Sequence, residues 1–141
     1  MATSILVALD LSPESQQVIE KAKEIAAQSG AAISVIHVVE PVITDSNYVL
    51  PDVYVDLEAA LVDRAEKFLA DLLKRNGLNS VAVFVEVGSI KGQIFQKIEQ
   101  EKVDLIVMGT HGRHGIARLL GSTASAVLHG TPCDIYMVRV H

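Results

Sequence analysis

The stretch SILVALDLSPES, residues 4–15, decides the fold expected of this chain. Its first part is apolar almost without interruption and ends at Asp10, which is typical of a strand buried on both faces of a sheet. Ser12 and Pro13 then predict a helix that has Ser12 as its N-cap and Pro13 at its first position. A buried strand followed directly by a helix is the opening unit of an α/β domain with a parallel sheet.

The same alternation of strand and helix continues along the chain. Further strands are predicted over Ala32 to Val39, Val81 to Val87, Val103 to Met108 and Cys133 to Val140, and helical stripes over Val18 to Ala26, Leu57 to Leu72, Ile90 to Ile98 and Ser122 to His129. From Glu40 to Asp56 no period holds, which predicts a long connection. We therefore expect residues 1–141 to form one domain, a three-layer α/β/α sandwich with right-handed crossovers around a five-stranded parallel sheet.

Composition and charge exclude several classes of function. The net charge is -5 and aromatic residues make up 4% of the chain, so a broad basic surface for nucleic acid or an anionic membrane is not expected. The single cysteine, Cys133, cannot form an internal disulfide, and at the start of a strand predicted to be buried it is expected to act as a small hydrophobe. Neither a membrane span nor a basic signal-peptide region is evident, which predicts a cytoplasmic location.

Candidate binding residues follow from the sheet topology. In an open parallel α/β sheet, ligands bind beyond the carboxyl ends of the strands, where the strand order reverses. The rule selects Ala8 to Ser12, His37 to Glu40 and Met108 to Gly112. The last of these opens GTHGRHGIARLLGST, residues 109–123, whose glycines let backbone amides approach an anion and whose end stands at a predicted helix N-terminus. It is neither a P-loop nor the Rossmann dinucleotide fingerprint, because the spacing and the chain position differ.

Single residues in these segments admit more than one interpretation. Asp10 could close a turn, but because Ser12 is predicted to cap the helix, we expect the Asp10 carboxylate to bind a ligand hydroxyl. His111 and His114 lack a third ligand at metal spacing and are interpreted as loop histidines, so no metal site is predicted. Arg113 and Arg118 either neutralise phosphates or are solvated.

Several motifs, taken in order, resemble the universal stress protein family. They are ILVALDLSPES at residues 5–15, VIHV at 35–38, VDLIVMGTHG at 103–112 and the pair Gly121-Ser122, and the match covers essentially the whole chain. The resemblance implies the sheet order 3-2-1-4-5, a Rossmann-like fold of the adenine nucleotide alpha hydrolase-like type, and a homodimer paired through the last strand, Cys133 to Val140. In one branch of the family it also implies ATP bound across the strand ends.

The resemblance further implies which residues hold the nucleotide. Asp10 is expected at the ribose, Ala8, Leu9 and Val38 around the adenine, Met108, Gly109, His111 and Gly112 along the ribose and phosphates, and Gly121, Ser122, Thr123 and Ser125 on the phosphates. Mg²⁺ is expected to accompany the phosphates. The nucleotide is expected to be a regulatory ligand with at most slow hydrolysis, because no general base or pair of acids is evident.

One departure from the family pattern supports an alternative. Eight residues separate Gly112 from Gly121 here, whereas the nucleotide-binding branch has nine. The alternative function is a dimeric interaction module of the same fold that binds no nucleotide. A phosphoacceptor receiver domain is excluded, since Asp10 is the lone acid at the end of the first strand and Gly88-Ser89 follows the third.

Overall fold

The strands and helices alternate as the sequence predicts. The computed structural model describes residues 3–41, 51–110, 127 and 129–140, with the backbone alone for 51–55. Its elements in chain order are β1 (Ser4–Ala8), α1 (Ser15–Ser29), β2 (Ala32–Val39), α2 (Pro51–Arg75), β3 (Ala82–Val87), α3 (Ile90–Glu101), β4 (Leu105–Gly109) and β5 (Asp134–Val138). The bounds of β2 agree with the sequence prediction, and α1 ends at Gly30, whose φ of 73° is typical of a glycine after a helix.

The described strands form one parallel sheet in the order β3-β2-β1-β4-β5. The predicted α/β fold class and sheet order are confirmed. Side chains of the central strand alternate between two cores: Ile5 and Val7 pack on the side of α1 and α2, whereas Leu6 packs on the side of α3. A parallel sheet covered on both faces explains why the sequence of β1 is apolar at every position.

The start of α1 differs from the prediction. β1 ends at Ala8 rather than Asp10, and the N-cap of α1 is Glu14, which makes no side-chain capping hydrogen bond. Ser12, the predicted cap, instead donates both its backbone N–H (3.0 Å) and its Oγ (2.6 Å) to Asp10 Oδ1. The Ser12 hydroxyl therefore stabilises the turn between β1 and α1. The helix begins at Ser15, two residues after the predicted first position, Pro13.

The connection predicted over Glu40 to Asp56 extends too far toward its C-terminal end. Residues 51–56 belong to α2, and Pro51 occupies a first helical position, where its fixed φ and missing N–H are tolerated. Residues 42–50 lie outside the described part of the chain.

The last strand and helix need corrections as well. β5 is an edge strand whose residues alternate in exposure, so the prediction of a fully buried strand was wrong, and Cys133 lies before it, partly buried. Smaller shifts affect β3, which begins at Ala82, and β4, which covers Leu105–Gly109. Of the predicted last helix, Ser122 to His129, only Val127 and His129 are described; they are helical, and so is Gly130, one residue past the predicted end.

Candidate functional site at the carboxyl edge of the sheet

The carboxyl edge of the sheet has a notch above β1. β1 is last paired at Ala8, which is level with Ile36 on β2 and Met108 on β4. β2 remains paired to Val39 and β4 to Gly109, so both neighbours extend past the end of β1. β2 and β3 lie on one side of β1, and β4 and β5 lie on the other, so the strand order reverses at β1. The notch is therefore at the switch point where open α/β sheets bind ligands.

Asp10 lies two residues past the end of β1, and one of its carboxylate oxygens has no partner in the described part of the chain. Its Oδ1 accepts the two hydrogen bonds from Ser12, whereas its Oδ2 is buried and has no hydrogen-bond partner among the described residues. A buried acceptor left in this state is unfavourable by about 1–3 kcal/mol. Ser12 therefore fixes the carboxylate through one oxygen and leaves the other available, which differs in mechanism from the prediction that Ser12 would cap the helix.

The residue after Asp10 has an uncommon backbone conformation. Leu11 has a φ of 66°, in the left-handed region that residues with a Cβ rarely adopt. This turn directs the chain from β1 into α1 and brings the Ser12 donors onto Asp10. Strained backbone of this kind is concentrated at functional sites, which makes the turn itself part of the candidate site.

The floor of the notch is tied to β2. The Leu9 N–H donates to Ile36 O at 3.0 Å, and His37 Nδ1 lies 2.8 Å from Leu9 O. Because a carbonyl only accepts, Nδ1 carries the proton and donates. His37 is buried, and this bond to the Leu9 carbonyl gives its ring a structural role within the sheet. Leu9 thus provides a rigid floor, with its N–H and carbonyl both engaged by β2.

The β4 side of the notch is tied to the last strand. Met108 is buried, and Thr110, which follows β4, donates its N–H to Val138 O at 2.9 Å. The Thr110 hydroxyl oxygen accepts from the Val140 N–H at 3.3 Å. These bonds fix the point at which the glycine-rich segment leaves the sheet.

The structure brings together the half of the predicted site that it describes. Ala8, Leu9, Asp10, Val38, Met108 and Gly109 all lie at the end of β1 or on the strands flanking it, and Ala8 and Met108 are register partners. The rest lie outside the described residues, namely His111, Gly112, Gly121, Ser122, Thr123 and Ser125, together with Arg113, His114 and Arg118. For all twelve residues the assignment to nucleotide binding stays a prediction.

Sequence reasoning missed one residue at this edge. Ser15, the first residue of α1, is only 2% exposed, and its Oγ has no hydrogen-bond partner among the described residues. The spacing of Ser15, Val18, Ile19 and Ala22 could have revealed its burial, because residues at i, i+3, i+4 and i+7 share one helix face. Spacing could not reveal that the hydroxyl lacks a partner.

Other chemistry is limited in the part of the chain that the structure describes. No three histidine, cysteine, aspartate or glutamate side chains gather there as a metal-binding group. Burial raises the pKa of the Cys133 thiol, which disfavours the thiolate needed for nucleophilic chemistry. The described helices are each too short or too polar to cross a bilayer.

Comparison with known proteins gives a consistent result. The sequence model of the universal stress protein family matches residues 1–139. Universal stress protein A homolog 1 from Coxiella burnetii is 40% identical over 136 residues, which cover 95% of this chain and 94% of that protein. Among solved structures, the universal stress protein UspA from Lactobacillus plantarum is 27% identical with a TM-score of 0.78 and 97% coverage of both chains.

A further solved structure contains a ligand. It is a universal stress protein in complex with cAMP, 24% identical to this chain with a TM-score of 0.66, covering 98% of this chain and 97% of that one. At that identity the likeness concerns the fold. Together, the family match over residues 1–139 and the 40% identity over nearly the whole chain show that this chain belongs to the universal stress protein family.

Proposed function

We propose that this protein binds an adenine nucleotide, ATP in the first place, in the notch above β1 as a regulatory ligand. The observation that carries the proposal is the buried Oδ2 of Asp10 at the switch point of the sheet, which has no hydrogen-bond partner among the described residues. A ligand that donates a hydrogen bond to this oxygen satisfies the buried acceptor. The desolvation cost that the unliganded protein carries at this oxygen is then offset, which favours binding.

The chemistry of this oxygen selects the part of the ligand beside it. An ionised carboxylate only accepts hydrogen bonds, so its partner is a hydroxyl or an amine and not a phosphate. A ribose offers two adjacent hydroxyl donors, which suits the position at Asp10. The cAMP complex of a fold neighbour supports the same ligand class, since cAMP is also an adenine nucleotide.

The phosphates of the nucleotide are proposed to bind at a second group of residues, beside the one that holds the ribose. We assign them to the glycine-rich stretch, with Gly121, Ser122, Thr123 and Ser125 as the holding residues, on the evidence of the sequence and its family resemblance. Mg²⁺ is proposed to bind through the phosphates of ATP, because the phosphates supply the oxygen ligands that Mg²⁺ prefers.

The test is isothermal titration of the wild type and of Asp10→Asn with ATP. Asn keeps the shape of the side chain and an oxygen at the Oδ1 position, which the Ser12 N–H requires, but places an NH₂ donor where Oδ2 was. Hydrogen bonds to a charged group contribute about 1.5–3 kcal/mol, so we expect the Kd to rise about 10- to 100-fold.

Asp104→Asn is the matched control for this titration. It makes the same chemical change in an aspartate at the start of β4, at the opposite edge of the sheet, and should leave the Kd within about twofold of the wild type. A wild-type protein that is folded and shows no saturable binding of ATP contradicts the proposal. Equal affinity of Asp10→Asn and wild type contradicts the role given to Asp10.

The proposal also includes a cytoplasmic homodimer paired through the last strand. β5 is the outer strand at one edge of the sheet, and Tyr136 on it is 41% exposed, as expected of an edge that a second chain covers. Sedimentation of the sample used for titration measures the mass directly. A protein that is dimeric but takes up no nucleotide fits the alternative function, an interaction module of the same fold.

A further inference from the structure

Two buried side-chain oxygens in the described residues have no hydrogen-bond partner, and both lie between the end of β1 and the start of α1. They are Asp10 Oδ2 and Ser15 Oγ. Buried polar atoms are paired in the great majority of cases, so two exceptions within one short segment point to a common cause. Asp10 already has a proposed partner in the nucleotide, which leaves Ser15 to be explained.

Ser15 lies on the buried face of α1, five residues after Asp10. It begins the buried stripe of α1, which continues through Val18, Ile19 and Ala22 into the core formed with β1 and β4. Its backbone N–H donates to Ser12 O at 3.0 Å, and Ser12 in turn bonds to Asp10. The first turn of α1 is thereby held against the carboxyl edge of the sheet, with the Ser15 side chain on its inner side.

The usual structural uses of a serine at a helix start do not apply to Ser15. Such a hydroxyl commonly caps the helix or bonds to a carbonyl of the preceding turn. The N-cap here is Glu14, and Ser15 Oγ bonds to no described backbone group. Ala22 fills an equivalent position of the same stripe without a hydroxyl. In the unliganded protein the buried Ser15 hydroxyl therefore lowers the free energy of unfolding, and replacing Ser15 with alanine would remove that cost.

We infer that Ser15 Oγ donates a hydrogen bond to an acceptor oxygen of the bound nucleotide, directly or through one ordered water. The inference rests on the proposed function and adds a second contact to that site. Asp10 can only accept, whereas a hydroxyl can donate, so the two residues bind complementary groups of one ligand. Ser15 is then a ligand-binding residue that lowers the stability of the empty protein and raises the affinity of the site.

The Ser15→Ala variant tests this through two effects of opposite sign. Without nucleotide, verified by mass spectrometry of the purified protein, the urea midpoint of unfolding should stay equal to that of the wild type or rise. With ATP, the Kd from isothermal titration should increase about threefold to tenfold, the effect of one neutral hydrogen bond. A serine that acts only through packing cannot produce this combination.

Ser29→Ala is the matched control from the same helix. The Ser29 hydroxyl donates to Ile25 O at 2.9 Å, at the far end of α1 from the notch. Its loss should leave the Kd unchanged and should not raise the urea midpoint.

The outcomes separate this inference from the proposed function. Wild-type protein that does not bind ATP overturns both. Wild-type protein that binds, with Ser15→Ala binding within twofold as tightly, overturns the role of Ser15 alone. A lower urea midpoint for unliganded Ser15→Ala also overturns it, because the hydroxyl then has a structural partner.

Discussion

Two aspartates at opposite edges of the sheet differ in how completely their oxygens are used. Asp104 precedes β4 at the amino edge, where its Oδ2 accepts from the Thr3 N–H (2.8 Å) and Thr3 Oγ (2.9 Å) and its Oδ1 accepts from the Ser4 N–H (3.1 Å). Asp10 follows the neighbouring strand β1 at the carboxyl edge, and only one of its oxygens has a partner among the described residues.

The difference agrees with the proposed function, in which the carboxyl edge and not the amino edge binds a ligand. At the amino edge, Asp104 joins the start of β4 to the residues that begin β1, and both of its oxygens accept hydrogen bonds from them. At the carboxyl edge, two buried oxygens lack partners among the described residues, and Leu11 has a left-handed φ of 66° inside a turn, whereas Lys102 near the amino edge adopts a similar φ as an ordinary helix C-cap. Proteins keep such unfavourable features where a bound group compensates for them.

The largest expected effect comes from the middle of the sheet, on which both edges depend. Leu6 lies in the centre of β1, is fully buried and packs in the core on the α3 side. Leu6→Ala should lower the free energy of unfolding by about 2–5 kcal/mol, because it removes buried methyl groups and leaves a cavity. Urea unfolding followed by circular dichroism measures the change.

Leu57→Ala is the control for this substitution. Leu57 lies on α2 and is 41% exposed, so the same deletion should cost about 0.5 kcal/mol or less. Similar losses for the two variants would mean that β1 is not the structural centre that joins the two edges.

The sequence predicted some element bounds better than others. The bounds of β2 and the stop at Gly30 follow from β-branched residues and a glycine, whose preferences are local. The start of α1 was predicted wrongly because Ser12 can bond either to the helix or to Asp10, and local preference does not decide between them. Where a residue has two possible partners, the fold decides which one it takes.

The candidate site also has features that the sequence locates and features that only the structure shows. The rule that ligands bind at carboxyl ends located Asp10, and the resemblance to the family assigned its role. The positive φ of Leu11, and the lack of a partner for Ser15 Oγ among the described residues, are properties of three-dimensional packing that residue type does not reveal. Sequence patterns thus indicate where a candidate site lies, whereas unpaired atoms supply the chemical argument for the proposed ligand.

The positive φ of Leu11, in the turn after β1, gives a second prediction. Leu11→Ile keeps the number of carbon atoms but places a β-branched side chain at a φ of 66°, where branching at Cβ is strongly disfavoured. We expect the free energy of unfolding to fall by about 1–3 kcal/mol. The same urea experiment measures it.

Leu105→Ile makes the same replacement in β4 as a control. β-branched residues are favoured in strands, so this variant should lose clearly less stability than Leu11→Ile. If both variants lose the same amount, the turn at Leu11 is not strained and the carboxyl edge is less distinct from the amino edge than the comparison states.

The smallest effect is expected at Asp104 and depends on pH. Hydrogen bonds from the Thr3 and Ser4 backbone N–H groups hold the pKa of the Asp104 carboxyl below its ordinary value. An aspartate whose pKa is lowered by folding stabilises the folded state when it is ionised, so its contribution is complete above the unfolded pKa of about 3.9 and disappears as the pH falls through the lower folded value. Because Asp104 is exposed to solvent, the contribution should be small.

Unfolding of Asp104→Asn and wild type by urea across the acid range tests this. The wild type should be slightly more stable than the variant above about pH 5, and the two should converge as the pH falls from about 4, the unfolded pKa, through the lower pKa of folded Asp104. Salt should reduce the difference, as it does for exposed charges. Curves that stay parallel down to the lowest pH would show that Asp104 does not bind the chain start through its charge, and the amino edge would then owe its stability to the strands alone.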